Sequence, residues 1–224
     1  MAKQEVTRRV GGASLISRRA YNGLAFGLVT VSFIVMFFMY SFAQGGGLSH
    51  IGFLRNPIIM LIVSLVGTIG GIIAMGVGKS KQSVGISVVG FVVFSLTFSV
   101  TMALGLQSRG LPSIMYAFAI TGCISGIFFM LGLLFPAFFE RVQGVVFTTF
   151  LALIVVELVA VFIFHVNQTI FDFAMIGIFC FFLGRDAYVL ASDEPTVPNA
   201  IMNATAIYVD IANILIRVLD IMDN

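Results

Sequence analysis

Two acidic residues in apolar surroundings are the best candidates for chemistry in this chain. Asp210 lies in the middle of the last apolar stretch, and Asp186 lies near the end of the preceding one. A carboxylate at bilayer depth costs roughly 2.5 to 3.5 kcal/mol on insertion scales. We therefore expect both residues to serve an ion, a proton or each other.

The two carboxylates would respond to pH if they shared one site. Like charges in one site do not both ionise cheaply, so one of the two groups would keep a proton. The pair would also attract calcium, but weakly, because calcium prefers six to eight oxygen ligands. The alternative is a latch between helices, with Asp186 bonded to a cation such as Lys79 and Asp210 bonded to asparagine or tyrosine groups. At 1.5 Å per residue the depths of the two acids differ by about one and a half turns, so their contact is a prediction.

The stretch that carries Asp210 has a distinctive face. Its members recur at steps of three and four, which places them along one side of a helix. They are Asn199, Asn203, Ala206, Asp210, Asn213, Arg217 and Asp220. Because charged groups avoid lipid, we expect this helix to be central, with the stripe toward protein or a water-filled cavity.

Two further acids need an interpretation. Glu157 stands between valine and leucine residues, where it is either a proton carrier or a protonated, hydrogen-bonded group; we favour the second. Asp172 lies near His165 and Asn167 at the outer end of its stretch, and we expect a solvated rim residue there.

The composition identifies the elements that must position these groups. The chain is 59% hydrophobic and 10% charged, with a mean hydropathy of +1.10, whereas about a quarter of an ordinary soluble domain is charged. A membrane-crossing helix takes about 20 residues, and continuous apolar runs favour helices over barrel strands. Seven windows qualify: 21–43, 57–78, 84–106, 112–136, 144–165, 169–191 and 199–221.

The prediction is therefore an all-α membrane protein, a seven-helix transmembrane bundle with a central, polar-striped seventh helix. A basic cytoplasmic tail would cover residues 1–20, one transmembrane domain 21–221, and a short C-terminal tail 222–224. The seventh window is the weakest, since it carries the most polar residues.

Basic residues predict the orientation. With a cytoplasmic N-terminus the inner side would receive Lys3, Arg8, Arg9, Arg18, Arg19, Lys79, Lys81, Arg141 and Arg185. The outer side would receive Arg55, Arg109 and Arg217. This excess agrees with the positive-inside rule.

Glycine pairs with small-xxx-small spacing occur in two windows: Gly67 with Gly71, and Gly122 with Gly126. Such spacing lets helix backbones approach closely. We favour packing within one bundle over a homodimer face. The two cysteines, Cys123 and Cys180, lie inside windows and form no disulfide framework or zinc spacing. They are interpreted as small apolar fillers.

Enzymatic motifs are missing. Paired membrane aspartates also occur in intramembrane aspartyl proteases, but those carry Tyr-Asp and Gly-x-Gly-Asp, and here the contexts are Arg185-Asp186 and Val209-Asp210. HExxH, GxSxG and P-loop patterns do not occur. We expect no enzyme activity, no resident cofactor and no nucleic-acid partner.

The residues around Asp210 resemble the last helix of the Bax inhibitor-1 (TMBIM) family, in its bacterial branch. The segment Ala204-Thr-Ala-Ile-Tyr208-Val-Asp210-Ile-Ala-Asn213 is similar to the family pattern Ala-x-x-Leu-Tyr-x-Asp-x-x-Asn. Asp186 stands where the family has an acid that closes its sixth helix. The number and rhythm of apolar windows agree over nearly the whole chain.

The resemblance implies a pH-sensitive calcium leak in which Asp186 and Asp210 form the proton sensor, the gate and a weak, transient calcium site. Lys79 matches the basic position that latches the sixth-helix acid in such proteins, although arginine is expected there. Arg185 replaces a frequent tyrosine and would compete for the same acid. Asn213 and Tyr208 belong to the motif, and Asn213 would orient Asp210.

The sequence thus predicts a multi-pass protein of a bacterial cytoplasmic membrane, with the lipid bilayer, protons and calcium ions as its partners. The alternative is a non-conducting regulator, a stress or cell-death modulator that binds other membrane proteins.

Overall fold

A computed structural model describes residues 9–10, 13–50, 56–164 and 166–223, and most of them are helical. Two short antiparallel strands, β1 (Arg9–Val10) and β2 (Ala13–Ser14), come first. The helices are α1 (Arg18–Gln44), α2 (Gly47–His50), α3 (Pro57–Ser80), α4 (Val84–Leu106), α5 (Leu111–Leu134), α6 (Pro136–Phe162), α7 (Thr169–Ser192) and α8 (Val197–Met222). Lys3, Arg8, Arg55 and His165, which the sequence analysis used, lie outside the described residues.

Capping side chains and prolines explain where several helices begin. Ser17 accepts a hydrogen bond from the backbone N–H of Ala20 at 3.2 Å, and Asn56 accepts one from that of Ile58 at 2.9 Å. A side-chain oxygen at this position satisfies an N–H group that the helix itself leaves without a partner. Proline stands in the first turn of α3, α5 and α6, where its missing N–H does no harm.

Six helices of the described chain are long and apolar enough to cross a membrane, namely α1 and α3 to α7. The prediction of a multi-pass, all-helical membrane protein is confirmed to that extent. α8 is 26 residues long but is not among these six, so a seventh span stays a prediction.

One predicted boundary is wrong. The window 144–165 begins well inside α6, which already starts at Pro136. The first turns of α6 carry Glu140, Arg141 and Gln143. The apolar window therefore marked only part of this helix, because charged and polar residues continue it at the N-terminal end.

Contacts divide the chain into two compact units. The first unit comprises Met1–Gln107 with Ser192–Thr205. Here α4 packs against both α1 and α3. A Cβ atom on Gly71 would lie 2.8 Å from the carbonyl oxygen of Gly90, and one on Gly67 would overlap the methyl group of Thr97. The close packing predicted for Gly67 and Gly71 is confirmed.

The second unit comprises Ser108–Ala191 with Ala206–Asn224. A Cβ atom on Gly132 of α5 would overlap the carbonyl oxygen of Gly184 on α7. A Cβ atom on Gly184 would in turn overlap the ring of Phe139 on α6. The three helices therefore meet at a point that only glycine permits, two residues before Asp186.

Gly122 and Gly126 behave differently. No described atom lies within 4 Å of a Cβ built on either one, so the packing interpretation is wrong for this pair within the described chain. The two glycines line an open apolar groove of about 610 Å³ along α5, together with Cys123, Ile127, Met130 and Leu131. The homodimer alternative for this pair stays open.

Candidate functional site

The second unit contains both acids that the sequence analysis singled out. Asp186 lies on α7 and is 8% exposed, and Asp210 lies on α8 and is 5% exposed. The glycine contact described above fixes the backbone of α7 beside Asp186. Both carboxylates are therefore buried, as their low exposure shows. An uncompensated charge is costly in such a buried position.

The two carboxylates interact through their charges. Besides burial, the strongest electrostatic influence on Asp210 comes from Asp186, and the next comes from Arg185. Arg185 Nη1 donates a hydrogen bond to Asp186 Oδ1 at 2.8 Å. Asp210 Oδ2 is buried and has no hydrogen-bond partner among the described residues. The two acids are therefore close enough to repel each other when both are ionised, while direct contact between their oxygens stays a prediction.

The motif residues beside Asp210 are also buried or bonded. Tyr208 is fully buried. Asn213 Nδ2 donates to the backbone carbonyl of Val209 at 2.8 Å, a bond within the same helix. The orienting role predicted for Asn213 toward Asp210 is not visible in this bond and stays a prediction.

Lys79 belongs to the first unit and pairs there with Asp193, at 2.7 Å between Nζ and Oδ2. The same carboxylate oxygen accepts a hydrogen bond from Asn203 Nδ2 at 3.0 Å, and Asn203 also donates to the hydroxyl of Tyr21 at 2.8 Å. Asp193 was missed by the sequence analysis because it lies in an acidic turn. The latch from Lys79 to Asp186 would join the two units and stays a prediction.

The stripe on α8 lies toward protein at both ends. In the first unit Asn199 and Asn203 are buried, and Asn199 Oδ1 accepts a hydrogen bond from Gln82 at 3.1 Å. In the second unit Asp210 is buried and Arg217 is bonded to acids. The other members of the stripe are only half-buried, namely Ala206, Asn213, Arg217 and Asp220. Ile201, Ile214 and Val218 on the opposite side of α8 are buried, so the spacing does not by itself separate a protein-facing side of this helix from an outer one.

A family comparison bears directly on these residues. A family model described as Inhibitor of apoptosis-promoting Bax1 matches residues 13–224. The chain belongs to the Bax inhibitor-1 family. The matched range contains Asp186, Asp210 and the whole last-helix motif, so the resemblance read from the sequence is confirmed. Comparison with curated proteins gives no match.

This Bax inhibitor-1 family member carries a second pair of buried acids that the sequence analysis did not connect. Arg217 Nη1 lies 2.6 Å from Glu157 Oε1 and 2.6 Å from Asp172 Oδ1. Arg217 Nη2 lies 3.3 Å from Glu157 Oε2, and Gln168 Nε2 donates to Glu157 Oε1 at 3.2 Å. One guanidinium on α8 therefore holds carboxylates from α6 and α7. We call these three charged residues the Arg217 cluster.

The Arg217 cluster corrects one expectation and refines another. Asp172 is 0% exposed, so the solvated rim residue is wrong: it lies in the first turn of α7, where its carboxylate meets Arg217. The hydrogen bonding predicted for Glu157 is confirmed, and its partners are the guanidinium of Arg217 and the side-chain amide of Gln168. The spacing of Asn213, Arg217 and Asp220 was the only sequence signal for this region.

Arg109 makes a related contact at the end of α8. Its Nη2 lies 2.7 Å from Asp220 Oδ1, and its Nη1 is bonded to Asp223. Its sequence position predicted only that Arg109 lies on the outer side, and neither ion pair was expected.

No group of three or more His, Cys, Asp or Glu side chains in the described chain is arranged to hold a metal ion. The calcium site predicted at Asp186 and Asp210 has only two such side chains. The predicted site therefore has fewer ligand side chains than such a group, and calcium binding there stays a prediction.

Proposed function

We propose that this Bax inhibitor-1 family protein is a pH-sensitive cation leak, with calcium as the favoured ion, in which Asp186 and Asp210 form the proton sensor and gate. We place it in a bacterial cytoplasmic membrane with its N-terminus inside. The observation that carries the proposal is the state of Asp210. It is a buried carboxylate with one oxygen that lacks a described partner, and its strongest charged neighbour is another acid.

The physical basis is a difference between two protonation states. When both groups are ionised, Asp186 and Asp210 repel each other. Arg185 donates a hydrogen bond to Asp186 but not to Asp210. A proton on either group removes the repulsion and supplies an O–H donor. Protonation of Asp186 would also weaken its ion pair with a basic latch residue. A proton therefore favours one arrangement of the pair over another, which is what a pH-controlled gate requires.

Calcium flux into liposomes tests this proposal. For the wild-type protein we expect flux at about pH 6 and at about pH 8 to differ by at least fivefold, the lower end of ordinary coupling between sites. Asp210→Asn removes the titrating group but keeps its shape, so the flux should lose its dependence on pH. Glu140→Gln is the matched control, because Glu140 is an exposed acid on α6, and it should behave as the wild type does.

Background flux for the wild type and both variants at either pH would contradict the leak. If calcium flux depends on pH equally in the wild type and in Asp210→Asn, the protein is a leak, but the proposed role of Asp210 as proton sensor is contradicted. Either result can be read directly, since protein-free liposomes give the background.

The second candidate function is a non-conducting regulator that binds other membrane proteins. The observation that favours it is the open apolar groove along α5, which no described residue fills. A partner that co-purifies equally with wild type and with an Asp186→Asn, Asp210→Asn double variant would support this function, provided that flux stays at background.

A further inference from the structure

A cavity of about 400 Å³ lies within the second unit, between α6, α7 and α8. Most of its wall is apolar and comes from Phe150, Ile154, Leu158, Val161, Met175 and Phe179. The rest is polar and is formed by Glu157, Gln168, Asn213 and Arg217. The proposed proton sensor, Asp186 and Asp210, does not contribute to this lining.

The polar part of the cavity carries one acid and one base, Glu157 and Arg217, and a second acid, Asp172, lies behind the lining on the same guanidinium. Arg217 is one cation bonded to two carboxylates, those of Glu157 and Asp172. A third acid, Asp220, interacts electrostatically with both Asp172 and Arg217, and Arg109 balances it. Because Arg217 already donates to two acids, the cavity is poorly suited to an anion and better suited to a cation.

The carboxylates also retain capacity to accept hydrogen bonds. Asp172 Oδ2 is buried and has no hydrogen-bond partner among the described residues. Glu157 Oε2 lies 3.3 Å from its donor on Arg217, a long contact for an ion pair. An ionised carboxylate offers about four acceptor positions, so Glu157, which lines the cavity, can accept a further donor.

The apolar wall decides what kind of cation fits. A calcium ion needs six to eight oxygens, which this lining does not offer. A chain of methylene groups, by contrast, is compatible with the apolar wall formed by Ile154, Leu158 and the ring of Phe179, as it is with lipid tails. Only 6% of the most apolar window of α6 is buried, so molecules dissolved in the bilayer have access to this helix.

We propose that the cavity binds a primary ammonium group carried on an apolar chain. The ammonium group donates to Glu157 beside the Arg217 cluster, and the chain lies along the apolar wall of α6 and α7. The ammonium group can belong to a free alkylamine or to the headgroup of an aminophospholipid. This inference does not depend on ion conduction.

Photolabelling of the full chain in phosphatidylcholine nanodiscs tests the proposal. The probe is dodecylamine with a photoreactive diazirine on its chain, and mass spectrometry locates the labelled residues. Labels should concentrate on the residues of α6 and α7 that line the cavity. Unlabelled dodecylamine should displace the probe at a concentration roughly tenfold or more below that of dodecanol, as a charge-assisted hydrogen bond implies. Dodecanoate should compete no better than dodecanol.

Three variants connect the label to the cavity. Glu157→Gln removes the accepting charge and leaves Arg217 paired with Asp172, so labelling there should fall about tenfold. Ile154→Trp fills the apolar part of the cavity without changing its charge, and it should abolish labelling of the cavity residues. Glu140→Gln changes the same charge at an exposed position on the same helix and should leave labelling unchanged.

A further arm replaces half of the phosphatidylcholine with phosphatidylethanolamine. Reduced labelling would identify the lipid headgroup as the occupant, and unchanged labelling would identify a free amine. The proposal is overturned if dodecanol competes as well as dodecylamine. It is also overturned if labels spread evenly over the lipid-facing helices, or if neither Glu157→Gln nor Ile154→Trp alters them.

Discussion

Two pairs of buried acids lie in the same unit of this protein, and each has an arginine close by, but the pairing differs. In the Arg217 cluster one guanidinium reaches both Glu157 and Asp172 at 2.6 Å. At the other pair Arg185 is bonded to Asp186, while Asp210 keeps a buried oxygen that lacks a described partner. The same types of residue thus form a clamp in one place, where the guanidinium bonds both acids, and a pair in the other place in which the guanidinium bonds only one acid.

The position of each arginine explains the difference. Arg217 lies on α8 and its acids lie on α6 and α7, so a long side chain crosses between helices and joins all three. Arg185 is the chain neighbour of Asp186, so its side chain leaves α7 beside the acid it serves. A cation between helices stabilises the packing, whereas a cation next to one acid leaves the second acid dependent on a proton or an ion.

The largest effect is expected from Arg217→Met. It leaves two buried carboxylates without their cation, which typically lowers the free energy of unfolding by about 3–5 kcal/mol. Unfolding of the purified protein in detergent, followed by circular dichroism, measures the change. Arg141→Met is the control, since Arg141 is an exposed arginine on α6. Equal losses for the two variants would show that the Arg217 cluster is not a clamp.

A medium effect is expected from Gly132→Ala, which tests how α7 is held beside Asp186. The added methyl group would overlap the carbonyl oxygen of Gly184, and overpacking of this kind costs about 1–3 kcal/mol. Gly126→Ala is the matched control on the same helix, because its added methyl group would lie in open space. It should leave the unfolding temperature unchanged or raise it, because alanine favours helices more than glycine does. A Gly132→Ala protein as stable as Gly126→Ala would contradict the close contact.

The smallest effect is expected from Arg185→Met. The side chain of Arg185 is 33% exposed, and ion pairs accessible to solvent contribute about 1 kcal/mol or less. The same unfolding assay measures it. A loss as large as that for Arg217→Met would remove the distinction between the two acid pairs, since both arginines would then act as clamps.

Local patterns predicted much of this molecule. The spacing of three and four on α8 placed Asn199, Asn203 and Asp210 on one face, because helix geometry alone sets which side chains share a face. Hydropathy identified the six apolar helices because the number of apolar residues needed to cross a bilayer is also a local property of the sequence. It failed at the start of α6, where charged residues continue the helix beyond the apolar window.

Contacts between distant segments could not be predicted in the same way. Nothing near Asp172 in the sequence indicates that Arg217 reaches it, so a buried ion pair was taken for a solvated rim. Gly71 and Gly126 stand in identical spacing patterns, yet one packs against Gly90 and the other faces open space. Spacing shows that a close approach is possible, and only the neighbouring helix decides whether it occurs.

The groove along α5 also gives the protein a built-in position for a spectroscopic reporter. Cys123 lies in that groove and is exposed, while Cys180 is buried, and these are the only cysteines in the sequence. A nitroxide or fluorophore introduced with a membrane-soluble thiol reagent would therefore attach at one position without any engineered substitution. Its mobility would report lipid at the groove, and spin coupling between labels would report a second copy of the chain.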